Sequence, residues 1–522
     1  MNSNTQRNRR LTAILLLLAM FASAPAGILS PVMAQSEIGT RESIPVQIIP
    51  AKPPYANVLL DMTPVKTPVK PYVEEGITMV PLRALGEALG AGIGWDNDAR
   101  AATYSKDNIT LVVRIGEPAV ETSDGRVIAM PQTASLLEGN TMVPLRLFSE
   151  ILGYQVVWDD ITRTVHILSP RESMELWGFY TLGSADYSSW QDAFASKYPF
   201  TAHQSPANDM GGLFLGWFAI DKDGRVACDP NPTGFQKPDG WPAVLLQARL
   251  KGLKVFSMYF ADQSTSNISE LLEDPAARDS LAQDIALTAR EYDGVLIDFE
   301  GLGLDTSKAN LDKENYNEFL NTLKDYLSGK PLSVAVPPLN SSFTGYDHEH
   351  IGNIADFIVL MAYAYEDPFT PSATAPFEKV ESAIKLEIKA VGPEKIILGI
   401  PAYGTMYKTT SEGACLKAYP ASKDGLSMLS EYHNHIDMEP NTGPPCVNPV
   451  FAPEYLSIYV EWESHGDSYK AFLEGPASLQ TRLLMAKRFG ITRAAIWRLG
   501  LLHEDWWASA NRVMNIRRHE EQ

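Results

Sequence analysis

The chain has 522 residues, of which 45% are hydrophobic and 20% are charged. This composition excludes a disordered chain and indicates a folded protein of two or three domains. The formal net charge of −19 argues against nucleic acid as a partner, because phosphates need a basic surface. It also disfavours electrostatic attraction to an anionic membrane or wall polymer.

Residues 1–34 have the pattern of a signal peptide. The basic residues Arg7, Arg9 and Arg10 precede an apolar run at 11–22, and residues 32–34 (VMA) offer small side chains for cleavage. An uncleaved membrane anchor is the alternative, although the run is short for spanning a bilayer. We expect a mature chain that begins near Gln35, has no membrane span, and is secreted, extracellular or cell-wall associated.

Residues 35–53 are polar, contain proline and indicate a linker. An internal repeat follows, because GITMVPLR at 76–83 recurs as GNTMVPLR at 139–146, and each copy continues into a leucine-containing segment that ends at Gly90 or Gly153. Trp95 and Trp158 keep the same offset. Each copy therefore predicts a strand, a short helix and a strand, with the glycine ending the helix.

This pair of repeats, at 54–170, resembles the copper amine oxidase N-terminal-like domain, a non-catalytic module of exported bacterial proteins. The resemblance does not imply copper, since the repeats hold no cluster of His or Cys, and His166 is expected to be a strand residue. We expect a spacer or a module that adheres to the cell wall.

Apolar strand candidates recur eight times in the rest of the chain. They lie at 176–182, 212–220, 254–260, 294–300, 332–337, 357–363, 395–401 and 492–499, and helix-like segments lie at 275–291, 313–327, 377–391 and 477–489. This alternation favours a closed parallel (β/α)8 barrel of the α/β class, at 174–512, although an open doubly wound sheet gives similar local signals.

One stretch, YDGVLIDFE at 292–300, sets acids into an apolar run. In a strand, Leu296, Asp298 and Glu300 share one face, while Val295, Ile297 and Phe299 share the other. An ordinary two-sided strand would turn its acids to water. In a barrel the same face lines the interior, and its acids reach the carboxyl-terminal mouth, where such barrels hold their active sites.

The stretch resembles the DGxDxDxE signature of family 18 glycoside hydrolases, the group of chitinases and endo-N-acetylglucosaminidases. Further segments similar to that family follow in order: SVAVP at 333–337, MAY at 361–363, GIPAYG at 399–404 and IWRLG at 496–500. Five such segments cover most of the C-terminal two thirds, and the last is similar to the spore-cortex and cell-wall branch.

The resemblance implies cleavage of a glycan that contains N-acetylglucosamine, and the acidic chain suits a neutral sugar. Glu300 is then the acid that protonates the leaving oxygen, and Asp298 orients the substrate's own 2-acetamido group, which attacks in place of an enzyme carboxylate. Tyr363 is expected to hydrogen-bond the acetamido carbonyl, so that the catalytic set is Glu300, Asp298 and Tyr363.

Four residues are expected to bind substrate by the same resemblance: Trp497, as the apolar floor of a sugar subsite, and Asp293, Tyr403 and Met361. For Tyr363 and Trp497 the alternative is a buried aromatic side chain in a packed barrel. We expect no cofactor and no metal site.

The segment at about 405–477, between the seventh and eighth strand candidates, is too long for an ordinary loop and predicts a small inserted α+β subdomain. Its aromatic residues either form one wall of the substrate cleft or form the core of the insertion. They are Tyr419, Tyr432, Tyr455, Tyr459, Trp462 and Tyr469. Cys415 and Cys446 could pair in an exported protein, which would leave Cys228 free.

Two positions depart from the family pattern. Leu296 stands where an acid, or in some relatives Asn, is usual, and Ala364 stands where an acid is common; Glu366 and Asp367 lie near enough in sequence to compensate. If Leu296 has removed a proton-sharing partner from Asp298, Leu296→Asp should raise turnover or shift the pH–rate profile. If Leu296 is packed into an apolar pocket, the same change should only destabilise the protein.

Three functions therefore remain open. The first is a retaining, substrate-assisted hydrolase of peptidoglycan or chitin. The second is a glycan-binding protein that has lost turnover, which the leucine at 296 favours. The third is a structural envelope protein, which the joint presence of Asp298, Glu300, Tyr363 and Trp497 disfavours.

Overall fold

The computed structural model describes residues 55–516, except for 160–162, 182–188, 196–205, 368, 411–414, 422–449, 453–456, 465–466 and 503–504. The predicted signal peptide and linker, at 1–34 and 35–53, lie outside the described residues. The chain divides into two compact units, with the boundary between Pro170 and Arg171. None of the helices in the described part of the chain is long and apolar enough to cross a membrane.

The N-terminal unit is rich in strands. These are β1 (Asn57–Leu60), β2 (Thr63–Pro64), β3 (Tyr72–Glu74), β4 (Ile77–Pro81), β5 (Gly92–Asp96), β6 (Ala101–Lys106), β7 (Ile109–Arg114), β8 (Ala119–Thr122), β9 (Val127–Ala129), β10 (Ser135–Leu137), β11 (Asn140–Pro144), β12 (Gln155–Asp159) and β13 (Thr164–Leu168), with helices α1 (Leu82–Ala88) and α2 (Leu145–Glu150). Their sheets have the orders β12-β13-β1-β2, β10-β11-β4-β3 and β5-β6-β7-β8-β9.

The two sequence repeats meet through equivalent strands. Strand β4 pairs antiparallel with β11, and Val80 lies opposite Val143, which is the same position of the other repeat. Leu85 of α1 and Phe148 of α2 are fully buried in one shared apolar core. Each repeat thus buries its helix against the other, as repeat units that cannot form a core alone must do.

The second unit begins at Arg171. Its described strands are β14 (Ser173–Tyr180), β15 (Gly212–Ile220), β16 (Val226–Ala227), β17 (Lys254–Ala261), β18 (Gly294–Phe299), β19 (Leu332–Val336), β20 (Phe357–Leu360), β21 (Ile396–Pro401), β22 (Gly404–Thr409), β23 (Cys415–Ala421), β24 (Val450–Ala452), β25 (Ser457–Ser464), β26 (Asp467–Leu473), β27 (Arg493–Trp497) and β28 (Asn515–Ile516). The α-helices are α3 (Ser189–Phe194), α4 (Trp241–Leu250), α5 (Ile268–Glu273), α6 (Pro275–Thr288), α7 (Ala309–Leu327), α8 (His348–Ile354), α9 (Phe377–Ala390), α10 (Pro476–Arg488) and α11 (Asp505–Val513), and short 3-10 helices cover Pro206–Asp209, Ala289–Glu291 and Pro393–Lys395.

Eight of these strands close into a parallel barrel in the order β15-β17-β18-β19-β20-β21-β27-β14, and β14 pairs back with β15. The predicted (β/α)8 barrel is confirmed, and the open doubly wound sheet is wrong. Each predicted strand is present with small shifts at its ends, and the four predicted helix-like segments correspond to α6, α7, α9 and α10.

Local sequence explains why these elements form where they do. The carboxylate of Asp274 caps α6 by accepting a hydrogen bond from Ala276 N at 2.9 Å, and Pro275 occupies the first helical turn, where its missing N–H costs nothing. Gly294 opens β18, because a Cβ there would lie 2.4 Å from the Phe256 ring. A larger residue would collide with this ring inside the barrel.

Apolar side chains fill the barrel. Residues from alternating positions of the strands form one buried cluster, which includes Trp177, Phe214, Phe256, Met258 and Leu296. Trp177 stacks on Phe214 with ring centroids 4.8 Å apart. The interior below the carboxyl-terminal mouth is therefore a packed core, as in other barrels of this kind.

The insertion between β21 and α10 forms an antiparallel sheet in the order β23-β22-β26-β25-β24. In the described residues it contains strands only, so the helical part of the predicted α+β insertion is not seen there. Tyr459 packs on Phe472 with centroids 5.1 Å apart, in a small core that includes Tyr407. Cys228 is a free thiol, whereas Cys446 lies outside the described residues, and its predicted pairing with Cys415 stays a prediction.

Candidate active site

A cleft with a volume of about 310 Å³ opens at the carboxyl-terminal mouth of the barrel. The ends of five strands supply its polar and aromatic lining: Asp262 after β17, Asp298 and Glu300 at β18, Met361 and Tyr363 after β20, Tyr403 after β21, and Trp497 at β27. Six of the seven predicted site residues therefore lie together.

Asp298 and Glu300 share an acidic environment, in which Asp298 is buried and Glu300 is partly buried. Asp298 is only 4% exposed, and its Oδ1 atom has no hydrogen-bond partner among the described residues. Burial raises the pKa of Asp298 to about 7. Burial also raises the pKa of Glu300 well above its usual range, and the neighbouring Asp298 and Asp262 add to that rise. The raised pKa favours the protonated form of Glu300, which is the form that a general acid needs.

Two tyrosines stand beside this pair. The Tyr363 and Tyr403 rings meet edge to face with centroids 6.5 Å apart. Burial raises the pKa of Tyr363, and the charges of Asp298 and Glu300 raise it further. Tyr363 therefore stays a neutral hydroxyl that can donate a hydrogen bond into the cleft.

The indole of Trp497 is fixed by rings on two sides. Phe179 meets it edge to face at 5.0 Å, and Phe235 does so at 6.3 Å. The following residue, Arg498, lies over Phe235 with its guanidinium carbon 5.3 Å from the ring centroid. Asp192 accepts hydrogen bonds from the backbone of Gly500 at 2.5 Å and Leu502 at 2.9 Å, which holds the loop after β27 in place.

Asp293 lies apart from this group, contrary to its predicted place among the substrate-binding residues. Its carboxylate accepts a hydrogen bond from Val255 N at 2.8 Å, and its own N–H donates to Val255 O at 2.8 Å. Asp293 precedes β18, at the end of the strand opposite the cleft, so its position fits a role in aligning β17 with β18. It does not support substrate binding.

The sequence model of glycosyl hydrolases family 18 matches residues 241–500, from helix α4 to the loop after β27. The barrel is a family 18 glycosyl hydrolase domain. Residues 59–167 match the copper amine oxidase N-terminal domain. In the described residues of both units, no three His, Cys, Asp or Glu side chains are grouped to hold a metal ion.

Known proteins resemble large parts of this chain. The cortical fragment-lytic enzyme of Bacillus anthracis is 26% identical over 250 residues, which are 46% of this chain and 54% of that protein. The chain thus spans about half the length of this curated relative. Spore cortex-lytic enzyme SleL of Bacillus megaterium has a TM-score of 0.53 at 17% identity, over 76% of this chain and 90% of that chain. A chitinase of Chromobacterium violaceum has a TM-score of 0.52 at 18% identity, over 65% and 98% of the two chains. At these identities the two structures show a common fold.

Leu296 is not in the cleft of the family 18 domain. Its side chain is fully buried in the barrel cluster, one layer below Asp298 on the same strand face, and Met258 pairs with it across β17 and β18. Its neighbours in the barrel cluster are apolar, while Ser333, paired with it on β19, is a buried residue whose hydroxyl has no hydrogen-bond partner among the described residues. The position usually held by an acid is therefore packed as part of the hydrophobic core.

Sequence reasoning missed several residues that line the family 18 cleft. Asp262 directly follows β17, so the rule that acids collect at strand ends could have found it. Four backbone and hydroxyl donors, from Ser264 and Thr265, bond to its Oδ1 atom at 2.7–2.9 Å. Phe235 and Phe343 belong to loops, where no periodic signal exists.

Glu366 also lines the cleft, beyond Ala364. Burial raises its pKa to about 7, and its Oε2 atom has no hydrogen-bond partner among the described residues. Tyr365, between them, donates its hydroxyl to Asn340 at 2.7 Å. The structure therefore brings into the cleft an acid that the sequence places only nearby.

Proposed function

We propose that this protein is an exported glycoside hydrolase that cleaves β-linked glycans containing N-acetylglucosamine, such as peptidoglycan or chitin-like chains. The observation that carries the proposal is the pair at the end of β18: a partly buried Glu300 whose raised pKa favours the protonated form, beside Asp298 with an oxygen that has no partner among the described residues. A 2-acetamido N–H is a donor of the kind that Asp298 lacks. The names of the cortex-lytic and chitinase relatives support this substrate class by analogy.

The residues suggest the following steps. Glu300 gives its proton to the glycosidic oxygen while the acetamido oxygen attacks the anomeric carbon, so that the bond to the leaving sugar breaks and an oxazolinium ion forms. Asp298 accepts the acetamido N–H and offsets the positive charge, and Tyr363 donates to the acetamido group. Ionised Glu300 then takes a proton from a water molecule that attacks the same carbon, so that the bond between this carbon and the acetamido oxygen breaks and the acetamido group is restored. Two inversions give net retention of configuration.

Trp497 and the cleft's other aromatic side chains provide an apolar surface for the faces of sugar rings. Tyr403 and Met361 line the same cavity and are proposed to position the sugar. Among the described residues, no Lys or Arg side chain lines the cleft, which suits a neutral polymer. Export and association with the cell wall are supported by the signal-like residues 1–34 and by the N-terminal repeats.

A second candidate is a glycan-binding protein with little turnover. The observation that favours it is Leu296. This buried leucine stands two residues before Asp298, where family members usually have an acid. Binding without hydrolysis would leave the rest of the cleft as it is.

Substitution of Glu300 by Gln tests the hydrolase. Glu300→Gln removes the proton but keeps the shape, so turnover on chitooligosaccharides should fall by roughly 10²–10⁴-fold while oligosaccharide affinity stays nearly unchanged. Glu314→Gln, an exposed change on α7, is the matched control and should keep full turnover. Equal turnover of the Glu300→Gln and parent proteins would remove Glu300 from the acid role. An inactive parent that still binds oligosaccharide would establish the second candidate instead.

A further inference from the structure

The N-terminal unit contains a groove of about 280 Å³ that the catalytic proposal does not use. It is lined by residues from α1, β5 and the β10–β11 hairpin: Arg83, Ile93, Gly94, Trp95, Leu136, Asn140 and Thr141, with Pro81, Leu82, Ala102 and Gly139. The volume is near the lower end of the roughly 300–1,000 Å³ of small-molecule sites. The groove is therefore large enough for one small ring.

Trp95 is the main aromatic surface of the groove. Its side chain is 43% exposed, although a tryptophan is usually well covered. The indole Nε1 donates to Asn97 Oδ1 at 2.7 Å, and Asp96 Oδ1 accepts the backbone N–H groups of Asp98 and Ala99 at 2.9 Å each. The ring is thus held in one orientation while its face stays open.

The second repeat provides an internal comparison. Trp158, at the position equivalent to Trp95, is only partly exposed, and the Arg163 guanidinium lies 5.4 Å from its ring centroid. In the first repeat the residue equivalent to Arg163 is Arg100, and no such contact with Trp95 is present among the described residues. One tryptophan is covered by its own repeat and the other is not.

The arginines that follow the two VPL sequences differ in the same way. Arg146 donates to Val156 O at 2.7 Å and forms an ion pair with Glu150 at 3.1 Å. Arg83, its equivalent, forms no hydrogen bond or ion pair with the described residues and lines the groove. In the second repeat, the tryptophan and this arginine both contact residues of their own repeat. In the first repeat, Trp95 and Arg83 lack the equivalent contacts among the described residues.

An exposed indole beside a guanidinium and an amide offers an apolar face and hydrogen-bond donors, both of which suit a sugar ring. The C–H face of a pyranose packs on an aromatic ring, while Arg83 and Asn140 can bond to hydroxyl, acetamido or carboxylate oxygens. Arg83 is the one charged side chain among the described residues of the lining, so the groove does not share the acidity of the catalytic cleft.

We propose that the Trp95 groove binds a pyranose ring of an N-acetylated glycan, with the ring stacked on Trp95 and an oxygen bonded to Arg83. The proposal rests on the proposed function for its choice of polymer. It assigns the first repeat, and not the second, to attachment of the enzyme to insoluble substrate.

Binding of the full-length protein to insoluble chitin and to purified peptidoglycan tests this groove, in a Glu300→Gln background that prevents digestion. Trp95→Ala should weaken binding about fivefold to tenfold, and Arg83→Ala should weaken it less. Tyr55→Ala is the control, because Tyr55 is a 53% exposed aromatic residue of the same unit outside the groove. Thermal unfolding of each variant checks that the fold is kept, and Trp95→Phe should restore part of the affinity.

The two polymers separate the ligand's chemistry. If the variants lose equal affinity for both polymers, the groove recognises the sugar ring that they share. If Arg83→Ala loses affinity for peptidoglycan alone, Arg83 binds a carboxylate of that polymer. Unchanged binding of Trp95→Ala and Arg83→Ala on both polymers would overturn the proposal. This outcome is distinct from failure of the hydrolase, which would appear as an inactive parent on soluble oligosaccharide.

Discussion

Asp298 shows how burial prepares a side chain for one kind of ligand. Its pKa is raised to about 7 because it lies away from water, and one oxygen has no donor among the described residues. An unsatisfied buried acceptor is costly, and a ligand that brings an N–H group relieves that cost. Burial, with the charges of Asp298 and Asp262, also raises the pKa of Glu300 and so favours its protonated form. The two acids thus hold different roles although they are two residues apart.

Leu296→Asp is the sharpest test at the residue scale. The family pattern alone slightly favours a shift of the pH–rate profile, whereas the burial of Leu296 in the barrel cluster, with Ser333 as its one polar strand neighbour, favours the opposite outcome. A carboxyl there must stay protonated or be buried charged, so we expect a loss of about 3 kcal/mol or more in the free energy of unfolding. Turnover should not increase at any pH.

Urea unfolding and the pH–rate profile of Leu296→Asp make this measurement. Leu296→Met, which nearly conserves volume, is the control and should cost less than about 1.5 kcal/mol. A Leu296→Asp protein as stable as its parent and faster would restore the proton-sharing account.

The candidate site could be predicted where strand periodicity fixes a side chain's face. Asp298 and Glu300 follow from the alternation along β18, whereas Trp497 was predicted only from the resemblance to the family. Asp293 belongs to the same motif but precedes the strand, and the rule that such barrels hold their sites at the carboxyl ends of strands would have excluded it. Glu366 belongs to a loop, whose path depends on contacts such as the Tyr365 hydroxyl to Asn340.

At the scale of elements, the barrel strands were predictable because each is a short apolar run between helix-like segments. The insertion itself was predicted, but its individual strands were not, because they pair over long sequence separations: Tyr407 of β22 lies opposite Lys470 of β26. Its aromatic residues were predicted to form either a wall of the cleft or the core of the insertion. Tyr459 belongs to the core of the insertion, and none of the described insertion residues lines the cleft.

A buried ion pair joins the insertion to the barrel. Arg482 of α10 donates to both carboxylate oxygens of Glu474, at 2.7 and 2.9 Å, and to Ala375 O at 3.2 Å. Both side chains are 1% exposed. Burial raises the pKa of Glu474, and Arg482 opposes part of that rise.

Arg482→Met should therefore destabilise the protein by about 3–5 kcal/mol, because Glu474 is left buried without its partner. Adding Glu474→Leu to the same protein should recover most of the loss. The control is Lys308→Met, which breaks an exposed pair with Glu273 and should cost less than about 1 kcal/mol. Denaturant unfolding of the parent, the two single variants and the double variant measures these differences. An Arg482→Met protein as stable as its parent would show that the pair does not stabilise the insertion.

At the scale of the whole molecule, the chain divides into two units with separate cores. The N-terminal core combines both repeats, whereas the barrel core lies inside eight strands. Both units were recognisable in the sequence. The N-terminal unit contains two similar segments, and the barrel region alternates strand-like and helix-like segments. The residue at which one unit ends was less certain, since it depends on contacts in the folded chain.

Contacts at the start of the second unit indicate where a truncated protein should begin. Asn515 N donates to Glu172 O at 2.8 Å, and Arg171 donates to Asn511 O at 2.9 Å, so the barrel alone should start at Arg171. We expect this truncated protein to unfold cooperatively and to keep its turnover on soluble chitooligosaccharides, because no described N-terminal residue lines the cleft. It should bind insoluble polymer less well. A folded but inactive barrel would show that the repeats contribute to catalysis.

The configuration of the first product tests the central claim most directly. Proton NMR, recorded within the first minutes of hydrolysis of a chitooligosaccharide by the parent protein, distinguishes the anomers before mutarotation mixes them. Attack by the acetamido group followed by water predicts that the new reducing end appears as the β anomer. Initial release of the α anomer would contradict the proposed mechanism, and the absence of any product from chitooligosaccharide and peptidoglycan would contradict the hydrolase itself.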